Sequence, residues 1–375
     1  MKVVILSFTQ AGTRLGERIG SQFRNEGIMC QNYAPAGYAF ADILPFPDNP
    51  KELIREGWGE TSFLFIGAVG IAVRYIAPYV KDKFTDSAVV VMDEKAGYVI
   101  PLLSGHLGGA VELSNQLAVW TGAVPVQTTA TDVQGKFAVD VFAKKNNCNI
   151  FNMKAAKEVS ATLLAGKKVG FYSEFPTDGE LPEGLIRCDE YGNSVSSMDD
   201  RSEEETQKSS DFDGTGTDCT NIDCGVAVTV HTSCNPFIST TQVVPKCLTL
   251  GMGCRKDKDA RGIAEAAQKV LDRSGFHKEA FEQIASIDLK KEEQGILSLS
   301  QDWQIPFVTY TEEELKQVPG EFTPSPFVKK ITGVDNVCER SAVLASGNGR
   351  LLQRKTGENG VTTAVAAREW RIHFE

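Results

Sequence analysis

The sequence predicts an α/β protein built from mostly parallel sheets flanked by helices, arranged in two or three domains. Three observations carry that expectation. Short β-branched and aromatic runs alternate with stretches of helical period along most of the chain. Glycine-framed turns follow several of these runs, as tight strand-to-helix connections require. The 375 residues, 42% hydrophobic and 23% charged, suffice to bury more than one core.

The run at 2–8 reads as a first strand, after which Leu15, Ile19 and Phe23 recur at helical spacing over 12–25. A proline-rich connection at 35–50 leads to a short helix around Glu52 and Arg55 and a strand at 63–66. Gly67 and Gly70 then permit a tight turn into a helix that Pro78 ends. Strands at 88–92 and 98–101 flank a turn at 93–97, and the stretch PLLSGHLGGAVELSN, from Pro101 to Asn115, reads as a strand, a glycine turn and a helix N-terminus. A buried strand follows at 123–126. Ligands of open α/β sheets bind outside the carboxyl ends of the strands. The turns at 67–70 and 104–109 are therefore expected on one rim, with Arg74, Lys81 and Lys83 adding positive charge there. A solvated basic patch accounts for the same cations equally well.

Helices are expected at 136–145 and 153–164, and strands at 167–171 and 225–231. Residues 189–223 are acidic and rich in Ser, Thr, Gly and Asp, and read as a mobile loop or linker. The segment at 233–246 reads as a hinge. A strand at 246–250 precedes the turn GMGCRKDKDA, where Gly251 and Gly253 permit close backbone approach and Asp257 or Asp259 caps a helix at 260–274. The rest is expected as a strand at 284–287, a helix at 289–301 and a strand at 306–310. A helix with Thr311 as cap and Glu314 as its boxed partner follows, then a helix at 333–346, paired strands at 349–355 and 360–366, and a final segment at 370–374. The expected domains are 1–132, 133–244 and 245–375.

A net charge of −10 argues against a general nucleic-acid or membrane-surface binder. No apolar run approaches the ~18 residues of a membrane span. Ser7, Thr9 and Gln10 interrupt the first apolar run, so a cytoplasmic protein is expected. Nine cysteines without a CxxC pair read as reduced thiols, and four dispersed histidines give poor support for zinc. No cofactor is expected.

The first amides of the helix after Gly109 lack intrahelical partners and favour a negative group, beside which Ser104 or His106 could act. A glycine-rich turn with a packing histidine is the structural alternative. GMGCR lacks the third glycine of a dinucleotide fingerprint. Its amides, Arg255 and Lys256 either hold a carboxylate or phosphate or are a plain turn with surface cations. Cys254 reads as an inert thiol, and Glu339 with Arg340 as either a salt-bridged helix position or a ligand-facing pair. Ser104, His106 and Gly109 stand one residue away from the D-x-H-x-x-G pattern of cobalamin-binding domains, whose histidine ligates cobalt. Serine in place of the orienting aspartate argues against that role here.

In order, GAVGIAVRYIAPYVKDK, GYVIPLLSGHLGGAVELS, VPKCLTLGMGCRKDK, VCERSAVLASGNGRLL and GVTTAVA resemble the cobalt-precorrin-5A hydrolases of cobalamin biosynthesis, the CbiG family, over nearly the whole chain. Residues 189–223 have no counterpart in that resemblance. It implies a step of anaerobic vitamin B12 synthesis, in which a δ-lactone between a ring A acetate and C20 of a cobalt macrocycle is opened by water and the two-carbon fragment leaves as acetaldehyde. Cobalt then belongs to the substrate and not to a protein metal site. The implied partners are this corrinoid intermediate and neighbouring pathway enzymes.

Such chemistry needs a base for water and donors for an oxyanion. The expected catalytic residues are His106 as base, Glu112 to orient it or relay protons, and Ser104, with the amides of Leu107 to Gly109 expected to stabilise the oxyanion or a substrate carboxylate. The expected substrate-binding residues are Gly67, Gly70 and Arg74; Gly105, Leu107, Gly108 and Gly109; and Gly251, Gly253, Arg255, Glu339 and Arg340. Two other readings stay open: a corrinoid-binding or transfer protein with His106 on cobalt, and a phosphate-ester enzyme using both glycine turns as cradles.

Overall fold

The computed structural model describes residues 2–82, 85–106, 108–195 and 222–374, apart from the Asp132 side chain. Lys83, Leu107 and residues 196–221, most of the acidic stretch, lie outside the described residues. The chain divides into two compact units, Met1–Gly135 and Lys136–Glu375.

The first unit runs β1 (Lys2–Ser7), α1 (Gln10–Asn25), β2 (Met29–Ala34), β3 (Ile43–Pro45), α2 (Lys51–Gly57), β4 (Ser62–Ile66), α3 (Val69–Ile76), β5 (Val89–Met92), β6 (Tyr98–Leu103), α4 (Ala110–Thr121), β7 (Val124–Pro125) and α5 (Ala130–Val133). Its strands form one sheet of order β3-β2-β1-β4-β5-β6-β7. The central strands are apolar on both faces because helices cover both. Leu15, Ile19, Phe23, Leu113 and Leu117 of α1 and α4 pack on Ile5, Leu64 and Val90. Ile54, Ala72 and Ile76 of α2 and α3 pack on Leu6, Phe63 and Phe65 on the other side.

The first five strands are parallel, but β6 pairs antiparallel with β5. Asp93 closes the reversal by accepting from the amides of Lys95 (2.9 Å) and Tyr98 (2.6 Å). Ile66, Met92 and Val99 share one row of the sheet, whereas Leu103 lies beside Val89. These rows are three residues apart along β5, roughly 10 Å at ~3.3 Å per residue. The turns at 67–70 and 104–109 therefore leave opposite rims. This corrects the expectation of a shared rim, since strand–helix alternation alone does not reveal a short antiparallel hairpin.

The second unit opens with α6 (Val139–Lys145), β8 (Cys148–Phe151), α7 (Met153–Leu164), β9 (Val169–Ser173), β10 (Thr177–Asp178), β11 (Leu185–Arg187), β12 (Cys224–Val228) and β13 (Ser239–Pro245). Five of these strands form a sheet of order β11-β9-β12-β13-β8. The segment expected as a hinge contains β13, a buried inner strand. Its polar residues are satisfied inside the fold: Thr241 Oγ1 donates to the Phe151 carbonyl (3.1 Å) and Gln242 Nε2 to the Cys234 carbonyl (2.8 Å).

The chain continues through β14 (Leu248–Cys254), α8 (Ala260–Ser274), β15 (Phe281–Ile287), α9 (Gln294–Trp303), β16 (Phe307–Tyr310), α10 (Glu312–Gln317), α11 (Pro326–Thr332), α12 (Cys338–Ala345), β17 (Arg350–Glu358), β18 (Val361–Ala367) and β19 (Ile372–His373). The second sheet of this unit has the order β16-β15-β14-β18-β17. Thr311 and Glu314 form the capping box that starts α10. The last strand, β19, pairs with β10, and Ile372 joins the core of the first five-stranded sheet.

GMGC is not a turn. It is the end of β14, paired with β18 from Leu248↔Ala367 to Cys254↔Val361. A Cβ at Gly251 would overlap the Cys338 carbonyl oxygen and come within 2.8 Å of the Ala342 Cβ. Glycine is needed there so that α12 can lie directly on the strand. Gly251→Ala should cost about 3 kcal/mol, at the upper end for overpacking, and lower the denaturation midpoint accordingly; an unchanged midpoint would contradict this packing.

Candidate functional site

Ser104 leaves β6 with φ 54°, a left-handed conformation costly for a side-chain-bearing residue. Its side chain is buried, and Oγ has no hydrogen-bond partner among the described residues. Gly108 folds back over it: a Cβ there would overlap the Ser104 Cβ and stand 2.7 Å from its carbonyl oxygen. Gly109, at φ 90°, then turns the chain into α4. The Ser104 carbonyl accepts from Ala110 N (3.2 Å) and the Gly105 carbonyl from Val111 N (3.0 Å). The first two amides of α4 are thus engaged by the loop itself, so the expected open helix terminus for an anion is corrected. The loop instead presents a strained serine with an unpaired hydroxyl, two residues before His106. Glu112 lies in the first turn of the helix. Leu107, an expected oxyanion donor, lies outside the described residues.

Gly67, Gly70 and Arg74 belong to the opposite rim. Gly67 N donates to the Met92 carbonyl (2.9 Å), a Cβ at Gly70 would meet nothing within 4 Å, and Arg74 is exposed on α3. The fold does not bring these residues to the 104–109 loop.

The second unit holds a cavity of about 830 Å³ at the carboxyl ends of β14 and β15, walled by α11 and the β17–β18 turn. Gly253, Cys254 and Arg255 line it. Arg255 N donates to the Gly360 carbonyl (2.9 Å), tying the end of β14 to the hairpin turn. Burial pushes the Cys254 thiol up to about 11 against the pull of Lys290, which leaves it a poor nucleophile at neutral pH. Asp259 caps α8 by accepting from Gly262 N (2.7 Å).

Glu339 and Arg340 do not face a ligand. Glu339 is fully buried and accepts from Thr323 N (2.7 Å), Thr323 Oγ1 (2.8 Å) and Lys355 N (2.6 Å). Arg340 donates to Asp335 (3.0 Å) and to the carbonyls of Leu315 (3.1 Å) and Val318 (3.3 Å), with its guanidinium over the Phe322 ring at 4.5 Å. Their hydrogen bonds fasten α12 to the neighbouring loop and strand, which corrects the ligand-facing expectation.

One acid–base pair escaped the sequence because its members lie 57 residues apart. His231 Nδ1 is 2.9 Å from Glu174 Oε1, which also accepts from Thr229 Oγ1 (2.7 Å). The hydrogen bond to Glu174 raises the His231 pKa against its burial. Burial opposes ionisation of Glu174, yet donors from His231 and Thr229 lower its pKa overall. Among the described residues, no group of three or more His, Cys, Asp or Glu side chains is arranged to hold a metal ion.

Three family models match in succession: Cobalamin synthesis G N-terminal over 52–132, the cobalamin biosynthesis central region over 137–245, and Cobalamin synthesis G C-terminus over 248–366. The chain is 32% identical to a cobalt-precorrin-5A hydrolase of Salmonella typhimurium over 366 residues, covering 97% of each chain. The chain belongs to the CbiG family. A cobalt-precorrin-5A hydrolase of Priestia megaterium is likewise 32% identical over 380 residues, covering 96% of this chain and 94% of that one. Among solved structures, a cobalamin biosynthesis protein G homolog from Sulfolobus solfataricus matches 98% of this chain and 97% of its own at 23% identity and TM-score 0.40. The 104–109 loop falls in the CbiG N-terminal match and the whole cavity lining in the C-terminal one.

Two outcomes follow from this geometry. Ser104→Ala removes a buried hydroxyl that has no partner among the described residues, so thermal denaturation should show equal or higher stability, by up to about 1 kcal/mol; a clear loss would mean that the hydroxyl is bonded. The raised His231 pKa gives stability that is full below its ordinary ~6.5 and is lost as pH rises through the raised value. The lowered Glu174 pKa gives stability present above its ordinary value and lost as pH falls through the lowered one. The melting-temperature gap between wild type and Glu174→Gln should therefore be widest near pH ~6 and narrow at alkaline pH. A gap independent of pH would refute the pairing.

Proposed function

We propose that this chain is a cobalt-precorrin-5A hydrolase of anaerobic cobalamin biosynthesis, opening the substrate's δ-lactone and releasing acetaldehyde to give cobalt-precorrin-5B. The observation that carries the proposal is 32% identity, across 97% of both chains, to a protein of that name. On this reading the substrate is a cobalt-containing macrocycle, and the protein works in the cytoplasm beside the neighbouring enzymes of the pathway.

The reaction balances with one water. Its oxygen becomes part of the ring A acetate carboxylate, and the alkyl oxygen of the lactone stays on C20 and departs with that two-carbon fragment as the carbonyl oxygen of acetaldehyde. The electron pair of the broken carbon–carbon bond stays on the macrocycle. Three tasks follow for the protein: to take a proton from water, to stabilise the charge on the lactone carbonyl oxygen, and to assist collapse of the resulting alkoxide.

We assign the first task to His106 and proton relay to Glu112, with the backbone amides of residues 107–109 donating to the oxyanion or a substrate carboxylate, Ser104 beside them, and Gly105, Gly108 and Gly109 letting the substrate approach the backbone. The strained, unpartnered Ser104 supports this assignment, since backbone strain and orphaned buried polar groups concentrate where function maintains them. In anaerobic incubation with cobalt-precorrin-5A, the wild-type protein should release one acetaldehyde per substrate. His106→Ala should lower kcat by about 10²–10⁴-fold while still binding the corrinoid, as loss of a general base does. Near-normal release by His106→Ala would overturn the assignment. Corrinoid binding by wild type without acetaldehyde would replace the hydrolase with a carrier.

A further inference from the structure

We propose that the cavity at the ends of β14 and β15 seats the substrate macrocycle, its apolar face against Leu289, Phe327 and Ile331 and its peripheral carboxylates on Arg255, Lys256 and Lys355. This deepens the hydrolase reading and rests on it for the identity of the ligand.

The apolar wall is the first support. Leu289, Phe327 and Ile331 are 67%, 69% and 59% exposed, yet all three line the same cavity. Large side chains gathered in one concavity and left facing water mark a surface that binds something apolar. Leu289 follows β15, whereas Phe327 and Ile331 stand one turn apart on α11, so the wall is built from two separate elements.

Charge is the second support. Four cations line the cavity, but Lys290 is paired with Glu293 at 2.7 Å. The lining acid Glu358 is engaged with Lys269 and Arg273. Among the described residues, no carboxylate lies within ion-pair distance of Arg255, Lys256 or Lys355, in a chain of net charge −10. Three unneutralised cations beside an apolar wall fit a ligand that carries anionic groups around a hydrophobic body.

The backbone decides between a compact phosphate and dispersed carboxylates. A phosphate cradle needs converging amides, but Gly251 lies within a ladder paired on both sides, and Asp259 caps the N-terminus of α8. The positive charge is carried by side chains spread from the end of β14 to β17. Both anchors are rigid: Arg255 N is bonded to Gly360, and Lys355 N to the buried Glu339. The cavity's volume, about 830 Å³, is that of a site for one sizeable small molecule.

The test uses the full chain, with cobyrinic acid, a cobalt corrin whose peripheral carboxylates are free, and its fully methylated ester as probes in equilibrium dialysis. The triple variant Arg255→Ala, Lys256→Ala, Lys355→Ala should weaken cobyrinic acid about a hundredfold and abolish the salt dependence of its binding, with little effect on the ester. Phe327→Asp, at an exposed position, should weaken both probes at least tenfold. Wild-type affinity in both variants, or equal competition by glucose 6-phosphate, would overturn the proposal. Acetaldehyde assays separate it from the hydrolase reading. A triple variant with raised KM and retained kcat supports the seat; one with unchanged KM overturns the seat and leaves the hydrolase intact. A wild-type chain that binds cobyrinic acid through these residues but releases no acetaldehyde supports the seat and removes the hydrolase.

Discussion

The carboxy-terminal half of the molecule depends on the missing Cβ of Gly251. Because α12 lies directly on β14 there, Glu339 is carried into the interior, where it accepts from Thr323 and from the Lys355 amide. Those bonds fix the loop ahead of α11 and the strand β17, which supply two walls of the cavity. A buried carboxylate left without such donors would be costly, so the helix, loop and strand are held as one piece. The cations lining the cavity remain available because the nearby acids are taken up elsewhere, Glu293 by Lys290 and Glu358 by Lys269 and Arg273.

The amino-terminal loop uses strain in place of close packing. Reversal of β6 by the Asp93 turn sends the chain to the opposite rim from the parallel strands, and Ser104 starts the return in a left-handed conformation beneath Gly108. The loop carbonyls satisfy the first amides of α4, so the helix start needs no bound anion for stability. Among the described residues, the buried side-chain polar atom left without a partner is the Ser104 hydroxyl, and that is the feature for which packing supplies no reason.

Much of this was legible in the sequence where the signal is local. Leu15, Ile19 and Phe23 marked α1, the Thr311–Glu314 box marked the start of α10, and the ordered glycine motifs marked the family. Non-local pairings were not legible. The hairpin that inverts β6 depends on strand register, and β13 hides its burial behind Thr241 and Gln242, whose side chains bond to Phe151 and His277 on other segments. GMGC looked like a ligand turn because glycine serves close approach by a helix as readily as by a ligand. Leu289, Phe327 and Ile331 carry no sequence mark of exposure, since an apolar residue at helical spacing ordinarily faces a core.

Hydrolysis by this chain requires that water open the lactone of a cobalt macrocycle. The most direct test is a single turnover of cobalt-precorrin-5A in ¹⁸O-enriched water, followed by mass spectrometry of the corrinoid product. One heavy oxygen is expected in the ring A acetate carboxylate of every product molecule, formed in step with acetaldehyde. Acetaldehyde release without heavy oxygen in that carboxylate would contradict hydrolysis.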